Sequence, residues 1–369
     1  MSCVTVKDQP PMKQSHALAY LRQLCCSGLG REIVIAEFLH AVSMLIPSNN
    51  NTFSGTEGNT QLKPTFHITG FDCADLFDVI PVVVADFHTP ERQDRAMAWF
   101  AQHPVISDPR VMDEAFYKTD LYHLIYRKFD MHHVLWAPTQ REGKSNGVLG
   151  LYRSRSQKPF NHSDQALLMR VLPYVSHALQ AANDEALEYS SHGASGMLIL
   201  DTQGNILYHS PEAKYLLQHA RYPQLLMSVR KQDHLLAKLA QLCRDLNQIY
   251  RGRDAAPPSY CHIGPKGQFT FRAYWLDKQN SEPGSLVGMT IKHQEPITLK
   301  ILRAMCNLPL SPMQREVTLL LAQGVLFEQI SQRLHIKLTT VKDHADKIYT
   351  KLGIHQREAL LPKLLAANI

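Results

Sequence analysis

The chain has 369 residues, 44% of them hydrophobic and 20% charged, the composition of a globular protein rather than a fibrous or disordered one. Its 39 Lys and Arg exceed 33 Asp and Glu for a formal charge of +6, which admits an acidic partner without requiring one. No apolar run approaches the ~20 residues of a membrane span, and the opening residues lack a charged segment leading into a smooth apolar one, so the sequence predicts a cytoplasmic protein with no membrane contact.

The seven cysteines (Cys3, Cys25, Cys26, Cys73, Cys243, Cys261, Cys306) are scattered, odd in number and without a C-x-x-C pair. That pattern supports neither a disulfide framework nor a zinc site. At roughly 100 to 200 residues per domain, the length predicts two or three domains.

Taken in chain order, residues 1–188 carry strand candidates at "VIPVVVADF", "HHVLWAP" and "GVLGLYRS". The segment before Trp136 is dense in rings. Trp99, Phe116, Tyr117, Tyr122, Tyr126 and Trp136 could line an apolar pocket for an aromatic or acyl effector, the alternative being ordinary core. His123, His132 and His133 have no carboxylate or cysteine at ligand spacing, so no metal is expected. A long helix starts at Asn161 to Asp164, with an apolar stripe of Leu167, Leu168, Val171, Leu172, Val175 and Leu179 and a bend expected at Pro173. The order of strand, Phe-centred turn and helix resembles the closing portion of a GAF-like domain. Residues 1–188 are therefore read as a GAF-like sensory domain ending in a long helix, which is the candidate signal transmitter.

Residues 189–298 begin with an apolar run broken at Asp201-Thr-Gln-Gly-Asn205 and resumed at Ile206, a hairpin signal. Ser210 and Pro211 then form an N-cap and N1 pair for a short helix. In "QFTFRAYWL", Phe269, Phe271, Ala273 and Trp275 alternate with Thr270, Arg272 and Tyr274, and "SLVGMTIKH" supplies a further strand after the turn at Glu282-Pro-Gly284. This order resembles a PAS-like module. Residues 299–309 are read as a linker.

Residues 310–369 hold four helical patterns. Ser311 and Pro312 start the first, which buries Val317, Leu320 and Leu321 and stops at Gly324. The second packs Phe327, Ile330 and Leu334. The third carries Val341, Ala345, Ile348 and Leu352 at i, i+4, i+7 and i+11, one apolar stripe. Eight Lys and Arg face five acids over this span, a net of 8 − 5 = +3, and phosphate contacts reward such a local surplus.

The pattern "LS…REV…LLAQG…I…RL.I…TVK.H…KIY.KLGI" resembles the LuxR-type helix-turn-helix of bacterial transcription regulators. The resemblance implies an all-α four-helix domain and a helix from about Leu338 to Lys351 in the DNA major groove. It also implies that the last helix, from about Arg357 to Leu365, pairs two copies as a homodimer on a two-fold site. Lys342, Asp343 and Asp346 would lie nearest the bases. Thr340, His344, Lys347 and Lys351 would turn toward phosphates or support the helix, with Lys337 and Thr339 at its start. Met313, Gln314, Glu328 and Gln329 depart from the usual residues. Lys337 replaces a common capping Ser, at a cost of about 1 kcal/mol unless Thr339 or Thr340 substitutes. The resemblance stops short of the acyl-homoserine-lactone sensors, because the segment after Trp99 lacks their Tyr and reaches Asp108-Pro109 too soon.

The whole reads as a multi-domain α+β protein: GAF-like and PAS-like sensory domains followed by an all-α four-helix helix-turn-helix domain. The function expected is a regulator of transcription that binds double-stranded DNA and answers a small-molecule effector, with RNA polymerase as a further partner and no cofactor. The alternative is a signalling protein whose terminal helices bind a protein partner. No nucleophile elbow, phosphate loop or metal-ligand spacing appears, so no enzyme is expected.

Overall fold

The computed structural model describes residues 14–57, 63–69, 105–107, 114–141, 144–180, 187–222, 234–276 and 286–366. The strand expected at 79–87, Trp99, residues 181–186 of the long helix and the turn at 282–284 lie outside them. No helix among the described residues is long and apolar enough to cross a membrane.

The first unit sets three helices on one face of an antiparallel sheet. Helix α1 (Gln14–Cys25) buries Ala17, Tyr20, Leu21 and Leu24, a helical spacing that gives it one apolar side. Helix α2 (Arg31–Ala41) is buried almost without interruption from Ile33 to Leu39, as a helix covered on several sides must be. Both pack against α3 (His162–Gln180). The sheet runs β2-β1-β5-β4-β3, from β1 (Asn50–Glu57), β2 (Lys63–Ile68), β3 (Ile106–Ser107), β4 (His133–Arg141) and β5 (Lys144–Arg153). Alternation sorts its faces: Phe53, Leu135, Ala137, Leu149 and Leu151 join the helices, while Val134, Trp136 and Tyr152 point to the opposite side.

Helix α3 begins where the sequence predicts. Asn161 Oδ1 accepts from the Asp164 N–H at 3.0 Å, and Asp164 Oδ2 accepts from the Asn161 N–H at 2.9 Å, so two donors at the helix start are satisfied reciprocally. Arg153, at the end of β5, donates to both Asp164 oxygens at 3.1 and 3.2 Å. Its guanidinium lies 4.0 Å over the Phe160 ring. Pro173 sits inside the helix, whose buried positions are Asp164, Leu168, Val171, Val175 and Ala178.

The second unit has a sheet in the order β7-β6-β10-β9-β8, built from β6 (Ser195–Leu200), β7 (Ile206–His209), β8 (Ser259–Gly264), β9 (Gly267–Leu276) and β10 (Leu286–Gln294). Helices α4 (Pro211–Arg221) and α5 (His234–Tyr250) cover it. Ser210 caps α4 by accepting from the Ala213 N–H at 3.1 Å. Phe269, Phe271 and Ala273 are buried and Arg272 and Tyr274 exposed, as the alternation requires. This unit keeps its own core. The chain enters and leaves it side by side: Tyr189 bridges Pro296, the Ser190 N–H donates to Glu295 O at 2.9 Å, and the Ile297 N–H donates to Glu188 O at 2.9 Å.

The stretch 299–309, read as a linker, falls mostly in a helix, α6 (Ile297–Cys306), with Leu299, Ile301, Leu302, Ala304 and Met305 buried. It packs on α1 and on two helices of the last unit. That unit comprises α7 (Pro312–Ala322), α8 (Phe327–Leu334), α9 (Leu338–Leu352) and α10 (Leu360–Ala366). One continuous core therefore runs from α1, α2 and α3 through α6 to α9 and α10.

An ionic network crosses this seam. Arg303 of α6 grips Glu37 of α2 through Nε to Oε1 at 3.1 Å and Nη2 to Oε2 at 2.5 Å, and reaches Glu295 through Nη1 at 2.5 Å. Tyr20 donates to Glu37 at 2.7 Å, and Arg22 pairs with Glu316 of α7 at 2.6 Å. Burial alone would raise the Glu37 carboxyl, but the charge and hydrogen bonds of Arg303 and the Tyr20 hydroxyl hold it below the usual carboxylate range. Glu37 also faces His40, one turn along α2, and Lys266 of the β8–β9 turn.

A depressed carboxyl stabilises the fold fully above its unfolded value, ~4.3 for Glu, and the stabilisation disappears as pH falls through the lower folded value. The stability difference between the native chain and Glu37→Gln, followed by denaturant titration, is therefore expected to stay constant from pH 7 to about pH 5. It should shrink only below the ordinary Glu range; a difference that shrinks between pH 7 and 5 would refute this role.

Candidate nucleic-acid interface and sensor cluster

Helix α9 owes its orientation to the stripe Val341, Ala345, Ile348 and Leu352, all buried against α7 and α8. The helices around it are framed at the start of α7 and at the ends of α7, α8 and α9. Ser311 accepts from the Gln314 N–H at 3.3 Å while Gln314 Oε1 accepts from the Ser311 N–H at 3.0 Å, a reciprocal cap at the start of α7. Gly324 and Gly353 follow α7 and α9 at φ +82° and +65°, the left-handed turn that lets the chain reverse and satisfy the last carbonyls. His335 takes that conformation after α8 at φ 53°, where a non-glycine residue is uncommon.

Two arginines that the sequence offers only as charge or as a helix boundary hold the frame. Arg315 is fully buried and its Nε donates to Leu310 O at 3.3 Å, while Nη2 donates to Cys306 O at 3.4 Å and Leu308 O at 3.2 Å. It thus gathers the carbonyls that follow α6. Arg357 Nη2 donates to Leu321 O at 3.1 Å and Val325 O at 2.8 Å, closing the end of α7. Arginine is rarely buried, and composition gives no sign of it here.

The remaining face of α9 is open. Thr339, Lys342, Asp343, Asp346, Lys347, Thr350 and Lys351 are exposed, Lys337 is exposed just before the helix, and Thr340 and His344 are half-buried. Lys347 pairs with Asp343 at 2.7 Å, both side chains more than half exposed, so the pair contributes only a few tenths of a kcal/mol, ~0.3–0.5. No ion pair joins Lys342 to Asp346 among the described residues; with the base on the N-terminal side, that order is the weaker one for an i,i+4 pair. His344 turns its Nδ1 inward, buried and without a partner. Lys351 Nζ donates to Pro309 O at 2.7 Å and to Gln314 Oε1 at 2.8 Å, so it supports the junction of α9 with α7. No side chain caps the start of α9 at Lys337, and neither threonine takes over.

The sensor candidates meet on the sheet face opposite the helices. Phe116, Tyr117, Tyr122, Tyr126 and Trp136 belong to one cluster with Tyr152, while Trp99 lies outside the described residues. A π-helical turn at Tyr122–Tyr126 aims two of them. Phe116 meets Tyr126 edge-on at 5.1 Å, and Tyr117 meets Tyr122 at 4.9 Å. Tyr152, which the sequence reading passed over, is the polar centre. Its oxygen accepts from Trp136 Nε1 at 3.0 Å, from the Tyr126 hydroxyl, and lies 3.5 Å from Thr52 Oγ1. Burial raises the Tyr152 hydroxyl, offset in part by these bonds. His132 stacks on Tyr117 at 4.9 Å, and its Nδ1 lies 2.9 Å from the Tyr122 hydroxyl.

Four helices, with a short pair presenting an open, charged helix, define a helix-turn-helix domain. Residues 308–362 match the family described as bacterial regulatory proteins, luxR family, so the chain carries a LuxR-type DNA-binding domain over α7 to α10. No curated protein matches the chain. Among solved structures it is similar to a GAF domain from Synechocystis in its photoproduct state, at 14% identity, covering 43% of this chain and 92% of that one with a TM-score of 0.31. It is similar also to Vibrio cholerae VqmA in complex with ligand and DNA, at 19% identity, 48% and 83% coverage and TM-score 0.25. A third is Escherichia coli SdiA, at 8% identity, 95% and 98% coverage and TM-score 0.29.

Thermal melting separates the roles on α9. Lys351→Ala is expected to cost about 1 kcal/mol through its two lost hydrogen bonds, while Lys342→Ala stays within about 0.5 kcal/mol of the native chain. Lys337→Ser should add about 1 kcal/mol by supplying the missing cap. Equal effects of Lys351→Ala and Lys342→Ala would contradict the geometry.

Proposed function

We propose that the chain is a cytoplasmic transcription regulator that binds double-stranded DNA as a homodimer, with α9 in the major groove. The observation that carries this reading is the luxR-family match over residues 308–362, falling on a helix whose Lys342, Asp343, Asp346 and Lys347 face solvent. Lys342 lies nearest the bases and Lys337, at the start of the helix, approaches phosphates, where each neutralised phosphate adds to the salt dependence of binding. An exposed carboxylate in the groove accepts from cytosine N4 and repels other base edges, trading affinity for selectivity. Asp346, with no ion-pair partner on its helix, fits that task better than Asp343, which must first leave Lys347.

The first unit supplies the response. An apolar effector of modest size, seated on the sheet face that carries Trp136, Tyr126 and Tyr152, would draw on the aromatic rings for contact area and on their hydroxyls for orientation. The helix from Ser163 onward carries the change away, and RNA polymerase is the partner downstream. A bound effector would show in native mass spectrometry as added mass on the folded chain.

The test is fluorescence anisotropy with duplexes selected from a random pool. The logarithm of the affinity should fall linearly with log salt, and Lys337→Ala should reduce the slope by about 0.9. Asp346→Ala should keep or raise non-specific binding while relaxing sequence choice. A salt-independent signal would favour a protein partner for these helices, and a uniform loss of binding in Asp346→Ala would assign that residue to the fold alone.

A further inference from the structure

Helix α6 is held in its C-terminal half by two arginines that belong to different contacts. At its far end Arg315 of α7 holds the carbonyls of Cys306, Leu308 and Leu310. On the sensor side Arg303 is shared by two carboxylates, Glu37 of α2 and Glu295, the residue that leaves β10 just ahead of α6. Those two acids come from different units. Glu37 is fixed in the first by Tyr20. Glu295 is fixed to the second by its backbone bond with Ser190, beside the Gln294 side chain, which donates to Ser190 O at 2.7 Å.

We propose that Arg303 is a shared relay: one guanidinium held jointly by the GAF-like and PAS-like units, so that displacement of either withdraws one carboxylate and lets α6 shift against the helix-turn-helix domain. This rests on the regulatory reading above. A bidentate guanidinium is directional, so a carboxylate that moves by an ångström or two loses the fork rather than stretching it. Glu37 uses both of its oxygens on Arg303, and Glu295 uses the third nitrogen. Withdrawing one acid leaves the guanidinium free to follow the other. The α6 residues that must move with it, Ile301, Leu302 and Met305, are buried in the same core as α9 and α10. Interdigitated packing of that kind repacks in steps rather than deforming smoothly. The exposed pair Arg22–Glu316, on the same seam, lies outside the relay and serves as a control.

The experiment is hydrogen exchange on the full-length protein without DNA, combined with a double-mutant cycle over Glu37→Gln and Glu295→Gln. Each single change is expected to speed exchange in residues 297–306 by about tenfold, the 1.4 kcal/mol equivalent of a charge-assisted hydrogen bond. The double variant should fall well short of a hundredfold, because the two acids act on one group. Arg303→Lys, which keeps the charge and loses the fork, should reproduce the single variants if either glutamine change prevents folding. Arg22→Ala should leave exchange in 297–306 within twofold. Exchange that is unchanged in either single variant, or strictly multiplicative in the double, would overturn the relay. DNA affinity measured in parallel keeps the two ideas apart. A native chain that binds no duplex sinks the regulatory reading, whereas a native chain that binds DNA with variants showing unaltered exchange and unaltered affinity sinks the relay alone.

Discussion

A ten-residue helix can be buried on nearly every side only if two bodies supply the walls, and α6 is such a helix. Ile301, Leu302 and Met305 are fully buried because α1 covers one side and α7 with α10 cover another. At about 25 cal/mol per Å² of apolar surface removed from water, such a helix is worth far more packed than free. Separating the first unit from the helix-turn-helix domain would expose it. The placement of the helix-turn-helix relative to the first unit is thus a consequence of where α6 finds its walls. The second unit, with its own core, is attached differently, through two adjoining crossings of the chain, with Lys266 beside His40 and Tyr222 against the aromatic cluster.

Polar groups decide how this hydrophobic seam is registered. Burying Glu37 would be costly without a partner, and Arg303 with Tyr20 supplies three hydrogen bonds to it. Arg315 is the converse case, a buried cation with carbonyls instead of a carboxylate: Nε and Nη2 donate to those of Cys306, Leu308 and Leu310, while Nη1 is buried without a hydrogen-bond partner among the described residues. Removing either arginine would strand polar atoms in the core, and such losses run to several kcal/mol. Hydrophobic burial therefore gives the seam its strength, and the arginines give it one alignment.

Much of the last unit was legible in the sequence because its signals are local. The stripe Val341, Ala345, Ile348 and Leu352, the Ser311-Pro312 start and the glycine at 324 each state their structural role within a few residues, and α9 spans Leu338–Leu352, close to the Leu338 to Lys351 that the family resemblance implies. The start of α3 and the alternation of β9 were legible for the same reason. Helix α6 was not. Its apolar residues spread over a face broader than one stripe, its start at Pro296 has no side-chain cap, and one of its walls lies almost 300 residues away in α1. Likewise the exposed lysines of α9 could be placed by period, but the turn of Lys351 toward Pro309 and Gln314, 42 and 37 residues earlier, depends on tertiary packing. Among the ring residues, the sequence singled out Tyr126 and Trp136, and missed Tyr152, which sits in an ordinary strand and gains its importance only from the groups that converge on it.

The central claim is that the first unit and the helix-turn-helix domain are one cooperative body joined through α6, with the second unit another. Hydrogen exchange along a denaturant series measures this directly, because amides that open in the same cooperative unit share one midpoint. The account predicts that α3, α6, α7 and α9 lose protection together, while β9 and β10 lose theirs at a different concentration. A midpoint for α7 and α9 well separated from that of α3 would show that the DNA-binding domain stands alone and that α6 is a tether.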